Sequence, residues 1–175
     1  NSQPFGFGEN HNHAFEFCDT EYYCVLNPDV ILNSDPFSAL LLCGVEKKAA
    51  ITAPLIKNVI GNIEDSARYF PTPFGLFKKL LGLCDGVFPT QENERVIYPE
   101  WVGGMFMLIK HDVYKMLSGF DESYFLYYED VDFCFRANSK GLKVLLAHKS
   151  KVYHYESISK GWNDYSVLNQ NLLDK

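Results

Sequence analysis

Short apolar runs with strand character alternate along this chain with segments of helical character. The strand-like runs span residues 22–27, 50–56, 104–109, 144–147 and 151–155. Helical segments are predicted over residues 35–44, 74–83, 111–117 and 131–139, followed by a partly docked helix over 162–175. Strands that alternate with helices build layered α/β domains. The 175 residues fit one such domain, residues 1–175, with a sizeable core.

The first strand is predicted to end at Asn27-Pro28-Asp29, because proline cannot donate a hydrogen bond to a sheet. In open α/β sheets ligands bind beyond the carboxyl ends of strands, which makes this a favoured place for a functional acid. The Asp29 carboxylate could hold Mg²⁺ or Mn²⁺ that bridges a diphosphate, since hard cations prefer carboxylate oxygens. An ordinary strand-ending turn explains the same residues and stays open.

Two further features gain meaning only in combination with others. His154 lies in a strand-like run, where an imidazole is usually an ordinary core or surface group. Neutral imidazole also completes mixed nitrogen and oxygen sites for Mn²⁺, so a metal role depends on His154 lying near Asp29. Gly103-Gly104 follows Trp101-Val102 and precedes an apolar strand. Paired glycines let a backbone approach a ligand closely, or they mark a bulge at the start of a strand. The residues favour the two interpretations equally.

Four acids stand among aromatic residues where a strand or loop gives way to a helix. They lie in the segment Phe120–Arg136 and are Asp121, Glu129, Asp130 and Asp132. Carboxylates beside apolar rings lose water, so their pKa rises toward the range that suits a general base. The segment therefore predicts a catalytic rim.

Composition excludes some functions. The net charge is −6 and no basic stripe is present, which disfavours nucleic-acid binding and a simple polybasic attachment to anionic lipid. The five cysteines are scattered and odd in number, as is typical of small buried residues in a reducing compartment. No apolar run reaches the roughly 18 residues that a membrane span needs.

Taken in order, these segments resemble family 2 glycosyltransferases of the GT-A fold, particularly a bacterial rhamnosyltransferase-like branch. The matching motifs are GFG-x-x-HN-x-A at 6–14, LNPD at 26–29, SAR-x-FP at 66–71, the strand at 102–109, GFDE at 119–122 with YEDVD at 128–132, and His154. The resemblance implies a GT-A-like, Rossmann-related mixed sheet flanked by helices. It also implies a first strand and helix with no counterpart here, and hence exposed sheet edges that favour association into a homo-oligomer.

The resemblance further implies inverting transfer from a nucleoside-diphosphate sugar, dTDP-rhamnose or a UDP-sugar, to a glycan or lipid-linked acceptor. Asp130 would be the base, and Glu129 would shape or share that role. Asp29 and His154 would hold Mg²⁺ or Mn²⁺. The donor and acceptor would contact the remaining site residues, which are Asn27, Trp101, Gly103, Gly104 and Asp132.

The same resemblance implies a cytoplasmic protein, with peripheral contact at the inner face of the plasma membrane. A noncatalytic sugar-nucleotide or glycan-binding fragment that assembles with another chain is the alternative. A metal-dependent phosphoesterase fits the acids less well, because the sequence lacks the second His and Asp cluster of two-metal sites.

Overall fold

The computed structural model describes residues 4–58, 60–64, 66–83, 86–90 and 95–154. Its helices are α1 (Phe7–Phe15), α2 (Phe37–Lys47), α3 (Pro73–Leu80), α4 (His111–Met116) and α5 (Glu129–Ser139). Its strands are β1 (Tyr22–Leu26), β2 (Val30–Ile31), β3 (Ile51–Asn58), β4 (Ala67–Arg68), β5 (Val96–Ile97), β6 (Trp101–Val102), β7 (Phe106–Lys110) and β8 (Val144–His154). The helix expected over 162–175 lies outside the described residues.

Six strands form one mixed sheet in the order β1-β7-β3-β8-β2, with β5 also paired to β8. β7 runs antiparallel to both β1 and β3, whereas β3 and β8 are parallel. The short strands β4 and β6 pair separately. The predicted α/β class with a mixed, helix-flanked sheet is therefore confirmed.

The sheet carries an apolar layer on each face. Alternate residues of β7 separate the layers, since Met107 and Ile109 belong to one cluster while Phe106 and Leu108 belong to the other. The first layer packs against α4 and α5, and the second packs against α2. Cys43 and Cys134 are buried free thiols within these layers, as expected for cysteines that act as small apolar residues.

Three local predictions need correction. The two strands expected after residue 143 are one strand, β8, whose pairing with β3 shifts register at Pro54 and Leu55, so that a bulge absorbs the polar interruption. α5 begins at Glu129 rather than at 131, which places the acids in its first turn. Asparagine after the glycine-rich turn at 6–8 predicts a helix cap at Asn12, but Asn12 lies inside α1 and its side chain bonds to a distant loop.

Candidate functional site

Two of the predicted site residues, Asn27 and His154, lie at the same end of the sheet. β1, β3 and β8 run in the same direction, so Asn27 and His154 lie at the same sheet end as the start of the antiparallel β7. The Asn27 backbone N–H donates to the carbonyl of Met105 at 2.9 Å. The next residue back, Gly104, donates its own N–H to Oδ2 of Asp130 at 2.9 Å. A short path of contacts thus joins the end of β1 to the acidic helix.

Asp130 is a half-buried carboxylate in the first turn of α5. Burial raises the pKa of its carboxyl group, while the N–H groups of Gly104 and Val131, at 2.9 and 2.8 Å, oppose that shift. Desolvation is the expected cause, although Phe125, Tyr127 and Tyr128 are themselves more than half exposed. The group has the character of a base that is held in place and partly desolvated.

A cavity of about 660 Å³ opens at Asp130. Trp101, Tyr127 and Tyr128 line it with Asp130, and the indole N–H of Trp101 is fixed by donation to the Tyr69 carbonyl at 3.0 Å. A volume of this size suits a sugar-sized ligand, and aromatic walls with a few convergent polar groups are typical of such sites.

The paired glycines form the close packing beside the base. A Cβ atom at Gly104 would stand 3.4 Å from the Phe7 ring and 3.5 Å from Cβ of Asp130, and one at Gly103 would stand 3.3 Å from the Met105 methyl group. Neither glycine lines the cavity itself. Their part in sugar binding stays a prediction, whereas the contact of the Gly104 backbone with Asp130 is observed.

The other three acids of the block stand apart from the cavity. Glu129 is buried, its pKa is raised by desolvation, and its Oε2 atom has no hydrogen-bond partner. Asp132 pairs with Arg136 at 2.7 Å. The Arg136 guanidinium also donates to the carbonyl groups of Leu117 and Gly119, just after α4. Asp121 is exposed and accepts the N–H of Ser123, which lowers its pKa. Asp130 alone of the four lines the cavity.

Asp29 and His154, which are distant in the sequence, meet at the sheet end. Nε2 of His154 lies 3.2 Å from Oδ2 of Asp29, and both side chains are less than one-fifth exposed. β2, which follows the Asp29 turn, pairs Val30 with His154 and so fixes the meeting. The proximity that a metal role for His154 requires is therefore present.

Glu64 completes this cluster and has no counterpart in the sequence analysis. Its Oε2 atom lies 2.8 Å from Nδ1 of His154, and its side chain is 11% exposed. Residues 57–75 show no firm periodicity and predict a long surface loop, so no sequence pattern singles out an acid there. Its one signal was the β-type residue Ile63 beside it, which bridges to Lys57 of β3.

The cluster fits a divalent cation in part. Oδ1 of Asp29 and Oε1 of Glu64 are buried without hydrogen-bond partners. When Nδ1–H of His154 donates to Glu64, the unprotonated Nε2 atom faces a second acceptor, the Asp29 carboxylate. Adjacent ligands of an octahedral ion with bonds of about 2.1 Å lie about 3 Å apart, close to the separation observed here. Within the described ranges, no three His, Cys, Asp or Glu side chains form a metal-binding group. The spacing of Asp29 and His154 is compatible with two ligands of such an ion, and Glu64 contacts the other ring nitrogen of His154.

The N-terminal GFG turn supports the loop that leads to Asp130. A Cβ atom at Gly6 would stand 2.7 Å from the Phe125 carbonyl oxygen, and one at Gly8 would stand 2.8 Å from Cβ of Phe120. The Phe7 N–H donates to the same Phe125 carbonyl at 2.9 Å. Only glycines allow α1 to lie this close to the loop.

Comparison with known proteins finds similar sequences among glycosyltransferases. Rhamnosyltransferase WbbL of Escherichia coli K12 is 29% identical over 164 residues, which cover 86% of this chain and 61% of WbbL. An N-acetylglucosaminyl-diphospho-decaprenol L-rhamnosyltransferase of Mycobacterium tuberculosis is 28% identical over 92% of this chain and 55% of its own length. The low-salt glycan biosynthesis hexosyltransferase Agl10 of Haloferax volcanii is 26% identical over 75% of this chain and 41% of its own.

The chain is a relative of rhamnosyltransferases. A solved structure of GalNAc-T7 with UDP, GalNAc and Mn²⁺ superposes with a TM-score of 0.69 at 14% identity, covering 94% of this chain and 32% of that one. The GT-A glycosyltransferase fold predicted from the sequence is thereby confirmed. No family model matches the chain. The chain spans about half the length of the curated relatives it matches.

Proposed function

We propose that this chain carries the catalytic site of an inverting glycosyltransferase. It would move a sugar, rhamnose in the first instance, from a nucleoside-diphosphate sugar to a hydroxyl group of a glycan or lipid-linked glycan. The observation that carries the proposal is a half-buried Asp130 in an aromatic cavity, at the sheet end where Asp29 meets His154. The names of the three glycosyltransferase relatives support the same class of reaction.

Asp130 is the proposed general base. Its carboxylate takes the proton of the acceptor hydroxyl while the acceptor oxygen forms a bond to the anomeric carbon. The bond from that carbon to the diphosphate oxygen breaks on the opposite face, and its electron pair leaves with the diphosphate. The hydrogen bond from Gly104 holds Oδ2, and burial keeps the pKa of Asp130 above its ordinary range, which increases its basicity.

Asp29 and His154 are the residues proposed to hold Mg²⁺ or Mn²⁺. A divalent cation bound there would neutralise charge on the leaving diphosphate. Glu64 is proposed to accept Nδ1–H of His154, which fixes the tautomer and points the Nε2 lone pair toward Asp29. Asp29 and His154 are thus proposed as ligands of the cation, and Glu64 as the residue that orients His154.

Calorimetry with dTDP and UDP, with and without Mn²⁺, tests the donor half of the proposal. Binding that requires Mn²⁺ and weakens in Asp29→Ala supports the assigned site. Unchanged affinity in Asp29→Ala removes Asp29 from the metal site. The full chain is used throughout, with circular dichroism as the check on folding.

Transfer from dTDP-rhamnose to N-acetylglucosaminyl-diphospho-decaprenol tests the catalytic half. Loss of a general base lowers rates by about 10²- to 10⁴-fold, so Asp130→Asn should lose transfer and retain nucleotide affinity. Asp112→Asn is the control, because the Asp112 side chain is 97% exposed and lies outside the cavity. Normal turnover in Asp130→Asn contradicts the assignment. Nucleotide binding without any transfer by the wild type favours the noncatalytic binding alternative.

A further inference from the structure

The loop before α5 presents large side chains that the core of the protein does not use. Phe125, Leu126, Tyr127 and Tyr128 are each more than half exposed. Tyr127 and Tyr128 line the cavity that contains Asp130, and neither ring belongs to the apolar layers of the sheet. Aromatic rings that line a cavity without contributing to the core are candidates for ligand contacts.

Both tyrosines have a left-handed backbone. Their φ angles are 68° at Tyr127 and 71° at Tyr128, values that residues other than glycine rarely adopt. Among the described residues the other non-glycine positions with positive φ are Lys48 and Ser118, and each stands singly near the end of a helix. Two adjacent residues of this kind store strain, and such strain collects where a site needs a fixed geometry. Here it lies directly before the helix turn that carries Asp130.

Backbone contacts on either side hold the two tyrosines in this conformation. Before them, the Phe125 carbonyl accepts the Phe7 N–H at 2.9 Å. After them, the Tyr128 carbonyl accepts the Asp132 N–H at 2.9 Å, in the first turn of α5. The rings are therefore attached to a backbone that is fixed at both ends, although the rings themselves are not packed. A ligand that contacts them loses little free energy in ordering the loop.

The position of the tyrosines favours contact with the acceptor over contact with the donor, and this step rests on the proposed function. Asp29 and His154, the proposed ligands of the cation, do not line the cavity, so a diphosphate bound to that cation would lie outside it. Asp130 does line the cavity, and its proposed task is to take a proton from the acceptor hydroxyl. Rings that share the cavity with this carboxylate are therefore placed to meet the acceptor.

We propose that Tyr127 and Tyr128 form the platform on which the acceptor sugar ring stacks while its hydroxyl meets Asp130. A pyranose carries C–H groups on its faces and hydroxyl groups around its rim. An aromatic ring covers such a face, and carboxylates and phenol hydroxyls bond to the rim. The cavity offers this combination, since Glu100 and Trp101 also line it. The acceptor class that fits is a glycan whose terminal pyranose presents an apolar face, whereas a simple alcohol has no face to stack.

Saturation-transfer NMR tests the platform without nucleotide, metal or catalysis. The aromatic protons of the full chain are saturated in the presence of methyl β-N-acetylglucosaminide, or of glycerol, which carries hydroxyl groups and no ring face. Saturation should pass to the ring C–H protons of the sugar and much less to glycerol. Tyr127→Ala with Tyr128→Ala should weaken the sugar affinity about tenfold, since two stacked rings contribute about this much.

Two further variants separate the ring faces from other effects. Tyr127→Phe with Tyr128→Phe keeps both rings and removes only their hydroxyl groups, so it should retain most of the saturation transfer. Tyr124→Ala is the matched control, because Tyr124 lies in the same loop, is 37% exposed and does not line the cavity. The control should bind the sugar like the wild type. All these side chains are exposed, so the variants should fold, and circular dichroism checks this.

Steady-state kinetics of sugar transfer complete the test. The double alanine variant should raise the KM for the acceptor about tenfold and leave the KM for the donor unchanged, because the rings contact only the acceptor. An increase in the donor KM alone would assign the rings to the donor and overturn the proposal. So would a wild type that transfers no saturation to the sugar, or a Tyr124→Ala control that loses as much affinity as the double alanine variant. Equal losses in the phenylalanine and alanine variants would also overturn it, because the hydroxyl groups and not the ring faces would then carry the binding.

Failure of this proposal is distinguishable from failure of the proposed function. Saturation transfer to the sugar requires neither nucleotide nor Mn²⁺, and calorimetric binding of dTDP requires no acceptor. If the sugar binds in a tyrosine-dependent way but no transfer occurs, the platform stands and the catalytic function fails. If transfer occurs and the double alanine variant keeps the acceptor KM of the wild type, the catalytic function stands and the platform fails.

Discussion

Replacing Asn12 by alanine should remove the main polar connection between α1 and the loop before α5. Oδ1 of Asn12 accepts from the Tyr114 hydroxyl at 2.8 Å and from the Phe120 N–H at 2.9 Å. Its amide group donates to the Phe120 carbonyl at 2.9 Å and to the exposed Glu122 carboxylate at 3.0 Å. Tyr114 and Phe120 are 1% and 2% exposed, so water cannot easily replace the amide.

The size of the loss follows from these contacts. Three partly buried hydrogen bonds, at about 1 kcal/mol each, give a loss of about 3 kcal/mol in the free energy of unfolding. The exposed bond to Glu122 adds little, because water replaces it. For a chain of this length about 3 kcal/mol corresponds to a decrease in Tm of about 6–12 °C.

Urea unfolding followed by circular dichroism measures this free energy, and Asn10→Ala is the control. Asn10 lies on the same helix, and its amide donates only to the carbonyls of Phe5 and Gly6, at 3.1 and 3.0 Å near the surface. The control should lose less than about 1 kcal/mol, since no buried donor is left unpaired. Equal losses for Asn12→Ala and Asn10→Ala would refute the reasoning.

Three further predictions concern the site and its support. Burial raises the pKa of Asp130 in the folded state, so ionisation of Asp130 opposes folding. The free energy of unfolding of the wild type should therefore rise relative to that of Asp130→Asn as the pH falls from neutral through the raised pKa toward about 3.9, and urea titrations at several pH values would check this. Glu64→Gln should weaken calorimetric Mn²⁺ affinity by about 10- to 100-fold with unchanged thermal stability in the absence of metal, and an unaltered affinity excludes an orienting role for the contact with His154. Gly8→Ala should lower the Tm, because its Cβ would stand 2.8 Å from Cβ of Phe120, and a Tm equal to that of the wild type would show that α1 moves freely.

The sequence predicted the site where local patterns carry the information. The proline after Asn27 ended β1 as expected, and the rule that ligands bind beyond strand ends pointed to Asp29. The acids around Asp130 were correctly placed at a helix start because aromatic and turn residues give way there to helical spacing. Motif resemblance then supplied the fold, which local patterns alone left at the level of an α/β class.

Other features depend on contacts between distant segments, which local patterns do not encode. No residue pattern near Glu64 predicts that its Oε2 atom lies 2.8 Å from Nδ1 of His154. The amide of Asn12 looked like a cap because asparagine favours caps, yet partners more than a hundred positions away decide its role. The left-handed conformation of Tyr127 and Tyr128, with φ of 68° and 71°, is likewise imposed by the loop and not by the residue type.

The parallel pairing of β3 with β8 has a consequence for folding during synthesis. Asp29 is synthesised before β3, and His154 follows only at the end of β8. In the described sheet β8 lies between β3 and β2, so β2 has no neighbouring strand there until β8 is added. During synthesis on the ribosome Asp29 is therefore present before His154. A ribosome-bound chain that stops before Val144 should be unable to form the contact between Asp29 and His154. With the proposed roles of Asp29 and His154, cation affinity would report that β8 has joined the sheet.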